Sequence, residues 1–329
     1  MQKATVILGA GFSVAVGFPA TAGLFESSDL PPTKSSVDLK RMDAVRSSYL
    51  SWKRDNPGMD AEQWLLILYK DRNELSNMIH GTNWYDAIQF GLRRLTKLRD
   101  AFKQSYYYGI THHESHEYHN QFWEKINKQF DLTAIVSMNY DLLVERALHT
   151  PNFGAFPSLR FYYGGLDQKE VKKWRNLSKV DGYQMVPLGS EIELFKLHGS
   201  LNWAWEPHSP ERMKIHDDVR AIFRQEKNGS VAIVPPIPEK EMPEMFKHIW
   251  RGARESLEAA SIWIVCGYSK PEYDIALCKF FDSCAQEGSV EEIIILDPDS
   301  THLQKKWAYP GVELRLLQGL PDGIAQDWN

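Results

Sequence analysis

A glycine-rich turn near the start of the chain is the first segment whose residues suit binding chemistry. The apolar run Thr5–Leu8 leads directly into Gly9, Ala10, Gly11 and Ser13. Glycines between a strand and a helix let backbone N–H groups approach an anion, and the helix N-terminus adds partial positive charge. The turn is therefore a candidate phosphate site. Val14 stands where a dinucleotide fingerprint has its third glycine, and such turns also arise for structural reasons alone.

Polar residues recur where later apolar runs end. These residues are Asn139 and Asp141 after "LTAIVSM", His198 after "EIELFKL", Gly267 and Ser269 after "ASIWIVC", and Asp297 after "EEIIIL". A histidine titrates near neutral pH and can act as a general base, and a strand-end carboxylate can accept hydrogen bonds from ribose hydroxyls. Four of them also have a plain structural interpretation. Asn139 and Asp297 suit turns, Asp141 suits a helix cap, and His198 suits a backbone contact at a strand end.

The elements that position these residues alternate in type along the chain. Strand-like runs separated by helical segments predict an α/β fold, with a doubly wound, mostly parallel, Rossmann-like sheet. Residues 35–130 instead carry apolar residues at three- and four-residue steps between charges, which predicts a large helical insert. We therefore expect residues 1–34 and 131–329 to form the α/β domain that carries the candidate site, with residues 35–130 as a helical insert subdomain.

Parts of the α/β domain have little predicted secondary structure. We expect irregular surface over residues 150–189, and loops with one strand over residues 206–247. The segment "EIELFKLHGSLNW" predicts a strand whose last residues are His198, Gly199 and Ser200.

The composition excludes several classes of protein. A net charge of −5 and a pI near 6.1 do not favour direct nucleic-acid binding. The three cysteines, Cys266, Cys278 and Cys284, contain no Cys-x-x-Cys pair, so we expect neither a disulfide framework nor a cysteine zinc site, and a reducing cytoplasm suits them. No export signal or membrane-length apolar run is present. His112, His116 and His119 are spaced for one helix face, but a polar surface explains them better than a metal site.

The order of the motifs resembles the sirtuin family. "GAGFSVAVGFP", "SMNYDLLVERA", "LFKLHGS", "VCGYS" and "ILDPD" follow one another along most of the chain. Sirtuins carry Gly-Ala-Gly-x-Ser with Gly-Ile-Pro, then Gln-Asn-Ile-Asp, then Leu-His-Gly-Ser, then Gly-x-Ser, then a polar residue on a late strand. The sequence between the motifs does not match.

The resemblance implies roles for individual residues. Gly9, Ala10, Gly11 and Ser13 would hold the pyrophosphate of NAD, and Pro19 would belong to the loop over its nicotinamide end. Asn139 would orient the nicotinamide ribose or a water, Asp141 would contact the carboxamide, and His198 would be the catalytic base. Gly267 and Ser269 would line the pyrophosphate or adenosine ribose, and Asp297 would bind ribose hydroxyls. NAD would be the substrate, with no metal.

Departures from the family pattern favour hydrolysis over deacylation. Ala20, Thr21 and Ala22 replace the Asp-Phe-Arg of the cofactor loop, and the zinc module of most deacylases has no counterpart. The long insert and the "LHGSLNW" continuation look like the sirtuin-like NAD hydrolases of bacterial anti-phage defence. That resemblance implies a cytoplasmic effector that depletes NAD. It also implies a homo-oligomer, or a separate activator or sensor such as a nucleotide-processing enzyme, a ring ATPase or an Argonaute-type protein.

Two alternatives remain open on the sequence. One is an NAD-dependent deacylase without zinc, which would release O-acyl-ADP-ribose. The other is a non-catalytic sensor of NAD or ADP-ribose, although such a protein has no need of the base His198. A dehydrogenase fits least well, because the third glycine is missing.

Overall fold

The computed structural model describes residues 1–14, 25–26, 36–70, 87, 122–145, 160–166, 191–206, 209–215, 231–234 and 242–318. The chain divides into two compact units. Unit 1 comprises residues 1–15, 114–234 and 238–329, and unit 2 comprises residues 16–113 and 235–237. The insert boundaries at residues 35 and 130 stay a prediction, because much of that segment lies outside the described residues.

Ten strands form two sheets among the described residues of unit 1. They are β1 (Lys3–Leu8), β2 (Asp131–Ser137), β3 (Arg160–Tyr163), β4 (Glu191–Lys196), β5 (Gly199–Glu206), β6 (Ser209–Ile215), β7 (Val231–Ile233), β8 (Ile262–Cys266), β9 (Glu292–Leu296) and β10 (Glu313–Leu317). The larger sheet has the order β10-β9-β8-β1-β2-β4-β3, and each neighbouring pair is parallel. It grows outward from β1 in both directions, which confirms the predicted α/β, doubly wound fold.

The central strands are apolar at consecutive positions because both of their faces are buried. Val6, Ile264 and Ile294 lie side by side on β1, β8 and β9, and each is completely buried. Because all the strands of this sheet are parallel, their carboxyl ends lie at the same edge of the sheet. That edge is where the candidate site lies.

Six helices with complete bounds accompany the strands. They are α1 (Ala10–Val14), α2 (Ser36–Asp55), α3 (Ala61–Lys70), α4 (Glu244–Glu258), α5 (Ile275–Glu287) and α6 (Ser300–Trp307). Residues 122–129 are also helical, and Phe122 and Trp123 pack their rings on Phe12 of α1. Within the described part of the chain, no helix has the length and apolar character needed to cross a membrane.

Three sequence predictions about unit 1 are corrected by the structure. The strand expected to end at Ser200 ends at Lys196, and β5 begins at Gly199 after a two-residue turn. Gly199 makes this possible, because its φ of 89° is in the left-handed region that turns the chain. The segment expected to be irregular contains β3, and the segment expected to hold one strand contains both β6 and β7.

The second sheet is small and antiparallel. β5 lies in its middle, between β6 and β7. It brings Val234, which follows β7, to the turn before β5, where the N–H of Val234 donates to the carbonyl of His198 at 3.0 Å. The small sheet therefore supports the end of β4.

Unit 2 contains α2 and α3 in its described part, and both lie within the segment for which the sequence predicts a helical insert. Phe25, Tyr49 and Trp64 form an aromatic cluster with ring centroids 5.1 to 5.3 Å apart. Asp60 begins α3: its Oδ1 accepts from the N–H groups of Glu62 and Gln63, at 3.0 and 3.1 Å. The remainder of the predicted insert lies outside the described residues, apart from the buried helical Ala87.

Candidate functional site

The predicted site residues that the structure describes lie at one edge of the parallel sheet. Each follows the carboxyl end of a strand: Gly9, Ala10, Gly11 and Ser13 follow β1, Asn139 and Asp141 follow β2, His198 follows β4, Gly267 and Ser269 follow β8, and Asp297 follows β9. β1 lies between β2 and β8, so the strand order reverses there. Ligands of doubly wound sheets bind at such a switch point. Pro19 lies outside the described residues.

The two glycine turns at the switch point pack backbone against backbone. Gly11 donates its N–H to the carbonyl of Gly267 at 2.9 Å, and Gly9 donates to the carbonyl of Cys266 at 3.1 Å. A Cβ on Gly267 would lie 2.3 Å from the backbone nitrogen of Phe12. Close packing of the two turns is thus sufficient to explain why these positions are glycine. A role toward a pyrophosphate stays a prediction.

Asn139 spans the gap between the β1 and β2 turns. Its Nδ2 donates to the carbonyl of Gly9 at 2.8 Å and to Oγ of Ser13 at 3.1 Å. A carbonyl can only accept, so the atom facing Gly9 must be the amide nitrogen. The amide oxygen then faces away from Gly9, and within the described ranges no donor to it is recorded. Asn139 therefore offers a fixed hydrogen-bond acceptor.

Asp141 has two separate contacts. Oδ2 accepts from the Ser13 hydroxyl at 2.6 Å, and Oδ1 accepts from the N–H of Leu143 at 2.9 Å, where a helical stretch begins. The predicted helix-capping role of Asp141 is therefore present. Because the Ser13 hydroxyl both donates to Asp141 and accepts from Asn139, one serine links the two predicted site residues of β2 to the glycine turn.

A buried ionic cluster lies beside Asp141. Nζ of Lys196 is 3.3 Å from Oε1 of Glu145 and donates to the backbone carbonyl of Asp141. Oε1 of Glu145 also accepts from the hydroxyl of Tyr163 at 3.0 Å. Burial raises the pKa of Glu145, and Lys196 opposes that shift. Burial also raises the pKa of Tyr163 well above its usual value. The Lys196 ammonium is what makes a carboxylate tolerable here.

His198 is buried at the end of β4, and each of its ring nitrogens faces an oxygen atom. Nδ1 lies 3.1 Å from the carbonyl of Val234, and Nε2 lies 3.5 Å from Oδ2 of Asp274. Because a carbonyl only accepts, Nδ1 carries the proton. The neutral ring therefore has its lone pair on Nε2, which is the tautomer that a general base needs.

Asp274 is the site residue that the sequence analysis missed. It is buried, and it stands at the N-cap of α5, where its Oδ1 accepts from the N–H of Leu277 at 3.1 Å. The sequence signal, an aspartate before an apolar helix, identifies a cap. Nothing in the sequence places this residue beside His198, because that contact joins the loop after β8 to the end of β4.

The remaining predicted residues make contacts of their own. The carbonyl of Ser269 accepts from Nζ of Lys306 at 3.2 Å. Oδ1 of Asp297 accepts from the N–H of Asp299 at 2.9 Å, so the turn interpretation of Asp297 is present in the structure. Binding of ribose hydroxyls by Asp297 stays a prediction.

Lys270 secures the loop between Ser269 and Asp274. It is a non-glycine residue with a φ of 47°, and its buried ammonium donates to Oδ1 of Asp282 at 2.6 Å and to the hydroxyl of Tyr309 at 2.7 Å. The same ammonium lies 5.0 Å from the centroids of the Trp307 and Tyr309 rings, in cation–π range. These contacts hold Lys270 in an unusual backbone conformation and so help to fix the loop.

The described residues form no evident metal site. No group of three or more His, Cys, Asp or Glu side chains in that part of the chain is arranged to hold a metal ion. His112, His116 and His119 lie outside it. The three cysteines are free thiols.

Comparison with known proteins gives similarity at the level of structure. No protein-family model matches the chain, and no curated protein matches it significantly. The chain is similar to a solved structure of a Sir2 homologue in complex with NAD, with 15% identity, a TM-score of 0.44, and coverage of 96% of this chain and 84% of that chain.

Two further similar structures are of the same type. One was solved for the mechanism and regulation of Sir2 enzymes, with 12% identity, a TM-score of 0.40, and coverage of 97% and 87% of the two chains. The other is Sir2 with an inhibitor, 2′-O-acetyl-ADP-ribose and a deacetylated p53 peptide, with 13% identity, a TM-score of 0.38, and coverage of 96% and 87%. These are Sir2-type proteins.

Proposed function

We propose that this protein is an NAD glycohydrolase that cleaves the bond between nicotinamide and ribose, giving nicotinamide and ADP-ribose. The observation that carries the proposal is the His198 ring. It is buried at the carboxyl edge of the sheet, its Nδ1–H is fixed on the Val234 carbonyl, and its Nε2, which faces the Asp274 carboxylate, is the nitrogen that can take a proton.

The chemistry needs such a base. A water donates its proton to Nε2 of His198 while its oxygen bonds to C1′ of the ribose. The bond from C1′ to nicotinamide breaks, and its electron pair leaves with nicotinamide, which becomes neutral. The proton passes from His198 to solvent, so the atoms and charges of NAD plus water balance those of nicotinamide, ADP-ribose and a proton.

Asn139 supports the same reaction. Its amide nitrogen is held by Gly9 and Ser13, so its amide oxygen is available to accept from a ribose hydroxyl or from the attacking water. The nearby Asp141 carboxylate favours positive charge in its surroundings, as an oxocarbenium-like centre requires. Asn139 would orient the ribose or the attacking water, and His198 would take the proton of that water.

We further propose that the activity serves NAD depletion in bacterial anti-phage defence, in the cytoplasm, under control of oligomerisation or an activating partner. The support is the order of the sequence motifs together with the helical segments between the first and second of them. An unrestrained NAD hydrolase would be toxic to its own cell, so an off state is expected.

The test is a product assay with purified protein and NAD, separated by chromatography over time. We expect nicotinamide and ADP-ribose from the wild type, and a loss of about 10²-fold or more in kcat for His198→Ala and for Asn139→Ala. His248→Ala, which removes an exposed histidine from α4, is the matched control and should cleave at the wild-type rate.

Other outcomes would favour the alternatives. Cleavage that requires an acyl-lysine peptide and yields O-acyl-ADP-ribose would replace the proposal with deacylation. NAD that binds but stays intact, alone and with candidate activators, would replace it with a sensor.

A further inference from the structure

The position of Asp274 has a consequence beyond the reaction proposed above. His198 follows β4, whereas Asp274 follows β8 on the other side of β1, and both side chains are almost completely buried. Burying two polar side chains costs desolvation free energy for each of them. Their contact across the sheet must therefore offset part of that cost or serve a function.

The two carboxylate oxygens of Asp274 have different tasks. Oδ1 accepts from the N–H of Leu277 and so caps α5, while Oδ2 lies 3.5 Å from Nε2 of His198. The backbone of Asp274 is also fixed, because its N–H donates to the carbonyl of Pro271 at 3.0 Å and its carbonyl accepts from the N–H of Cys278 at 2.9 Å. The carboxylate therefore cannot swing away from the ring without giving up the cap.

We propose that Asp274 is a positioning residue that holds the His198 ring in place and stabilises its protonated form at Nε2, and this inference rests on the proposed function of His198. With Nδ1–H on the Val234 carbonyl, a proton gained at Nε2 creates a cation that faces a buried carboxylate. The opposite charge favours that cation and so favours proton transfer from water to the ring.

Among the described residues, several other side chains near His198 are engaged elsewhere or contact its ring. Tyr140, from the turn after β2, has its ring centroid 6.3 Å from that of His198. Further ionisable side chains on these elements have their own partners, namely Lys196 with Glu145, Asp141 with Ser13, and Lys270 with Asp282. Asp274, with Oδ2 3.5 Å from Nε2, is thus a charge whose removal should act on His198 directly.

Asp274→Asn separates the two tasks. Asparagine caps helices as well as aspartate does. Since Leu277 donates to the cap, the oxygen of the new amide must stay at that position, and its NH₂ group then faces Nε2. An amide N–H donates to the lone pair of the neutral ring, so this variant opposes protonation while keeping the helix cap.

The first measurement is the titration of the His198 ring by NMR in protein with labelled histidine, without NAD, with His198→Gln identifying the signal. We expect Asp274→Asn to lower the midpoint by about 1 to 3 pH units. Asp274→Ser, which keeps a capping oxygen and removes the carboxylate, should lower it too. Asp60→Asn makes the same change at the cap of α3 in unit 2 and should leave the midpoint unchanged.

The second measurement is NAD cleavage. Asp274→Asn should lower kcat by about 10²-fold with little change in KM, because the interaction strengthens only as the proton is transferred. A midpoint unchanged in both Asp274 variants would overturn this inference and leave NAD hydrolysis standing. A shifted midpoint in a protein whose wild type never cleaves NAD would uphold the contact between the two residues and overturn the proposed function.

Discussion

At the scale of single residues, the site depends on polar groups that are buried but partnered. Lys196 is the strongest case, since its ammonium has no exposed surface and lies between Glu145 and the carbonyl of Asp141. A buried ion pair is usually worth little compared with an apolar pair, but removing one partner leaves a charge stranded. Lys196 is therefore better understood as neutralising Glu145 next to the site than as a source of stability.

This interpretation predicts a non-additive double-mutant cycle. Lys196→Met should lower the free energy of unfolding by about 3 to 5 kcal/mol, because Glu145 then lacks its counter-charge. Adding Glu145→Gln should restore part of the loss, since the stranded charge is gone. Urea unfolding measures all four proteins of the cycle. Strictly additive losses would show that the two side chains do not depend on each other.

At the scale of elements, the site is held by two turns that pack closely at the switch point. Gly267 needs to be glycine for two reasons: its φ is 62°, and a Cβ there would clash with the backbone of Phe12. The turn after β8 also leads to Lys270 and Asp274. Its geometry therefore decides where the partner of His198 lies.

A series of three glycine-to-alanine substitutions separates these two reasons. Gly58→Ala has open space around it, Gly311→Ala has a φ of 80° with open space, and Gly267→Ala has both the positive φ and the clash. We expect little change for Gly58, a loss of about 1 to 2 kcal/mol for Gly311, and a loss about 1 to 3 kcal/mol larger for Gly267. Urea unfolding ranks them. Equal losses of unfolding free energy for Gly311→Ala and Gly267→Ala would mean that the turns after β1 and β8 can move apart to accommodate the new Cβ.

The elements also show how far the sequence alone could go. Apolar runs predicted β1, β2, β4, β8 and β9, and the polar residues just after them proved to share one edge, because parallel strands bring their carboxyl ends together. The break between β4 and β5 was missed because the alternation continues through it and only the left-handed Gly199 reveals the turn.

Other elements were missed for different reasons. α4 has buried apolar residues at helical spacing, including Phe246, Ile249, Trp250 and Ala253, and a count of that period would have found it. The contact between Asp274 and His198 could not have been found in this way. It joins residues far apart in the chain, and no local pattern encodes it.

At the scale of the whole molecule, burial of acidic groups sets how stability depends on pH. Burial raises the pKa of the Cys266 thiol, raises that of Cys284 to about 12, and raises that of the Tyr49 phenol to about 12. These groups lie in both compact units, on β8, α5 and α2. Each keeps its proton in the folded chain at a pH where the unfolded chain has lost it.

The sign of the effect follows from proton linkage. Up to about pH 7.5, one unit below the free thiol pKa of about 8.5, both states hold almost all of their thiol protons and nearly the full stability is present. As the pH rises toward the raised folded values, the unfolded state binds fewer protons, so the free energy of unfolding falls, by at most about 1.4 kcal/mol per pH unit for each group. We expect urea midpoints under reducing conditions to be level between pH 7 and 8 and to decline from pH 9 upward.

Replacing the thiols tests that cause. The double variant Cys266→Ala with Cys284→Ala should be less stable at every pH, because each change leaves a small cavity, yet its decline above pH 9 should be shallower than that of the wild type. The cavity cost does not depend on pH, so the slope isolates the titration. A decline of equal steepness in both proteins would show that the two buried thiols do not govern the alkaline limit.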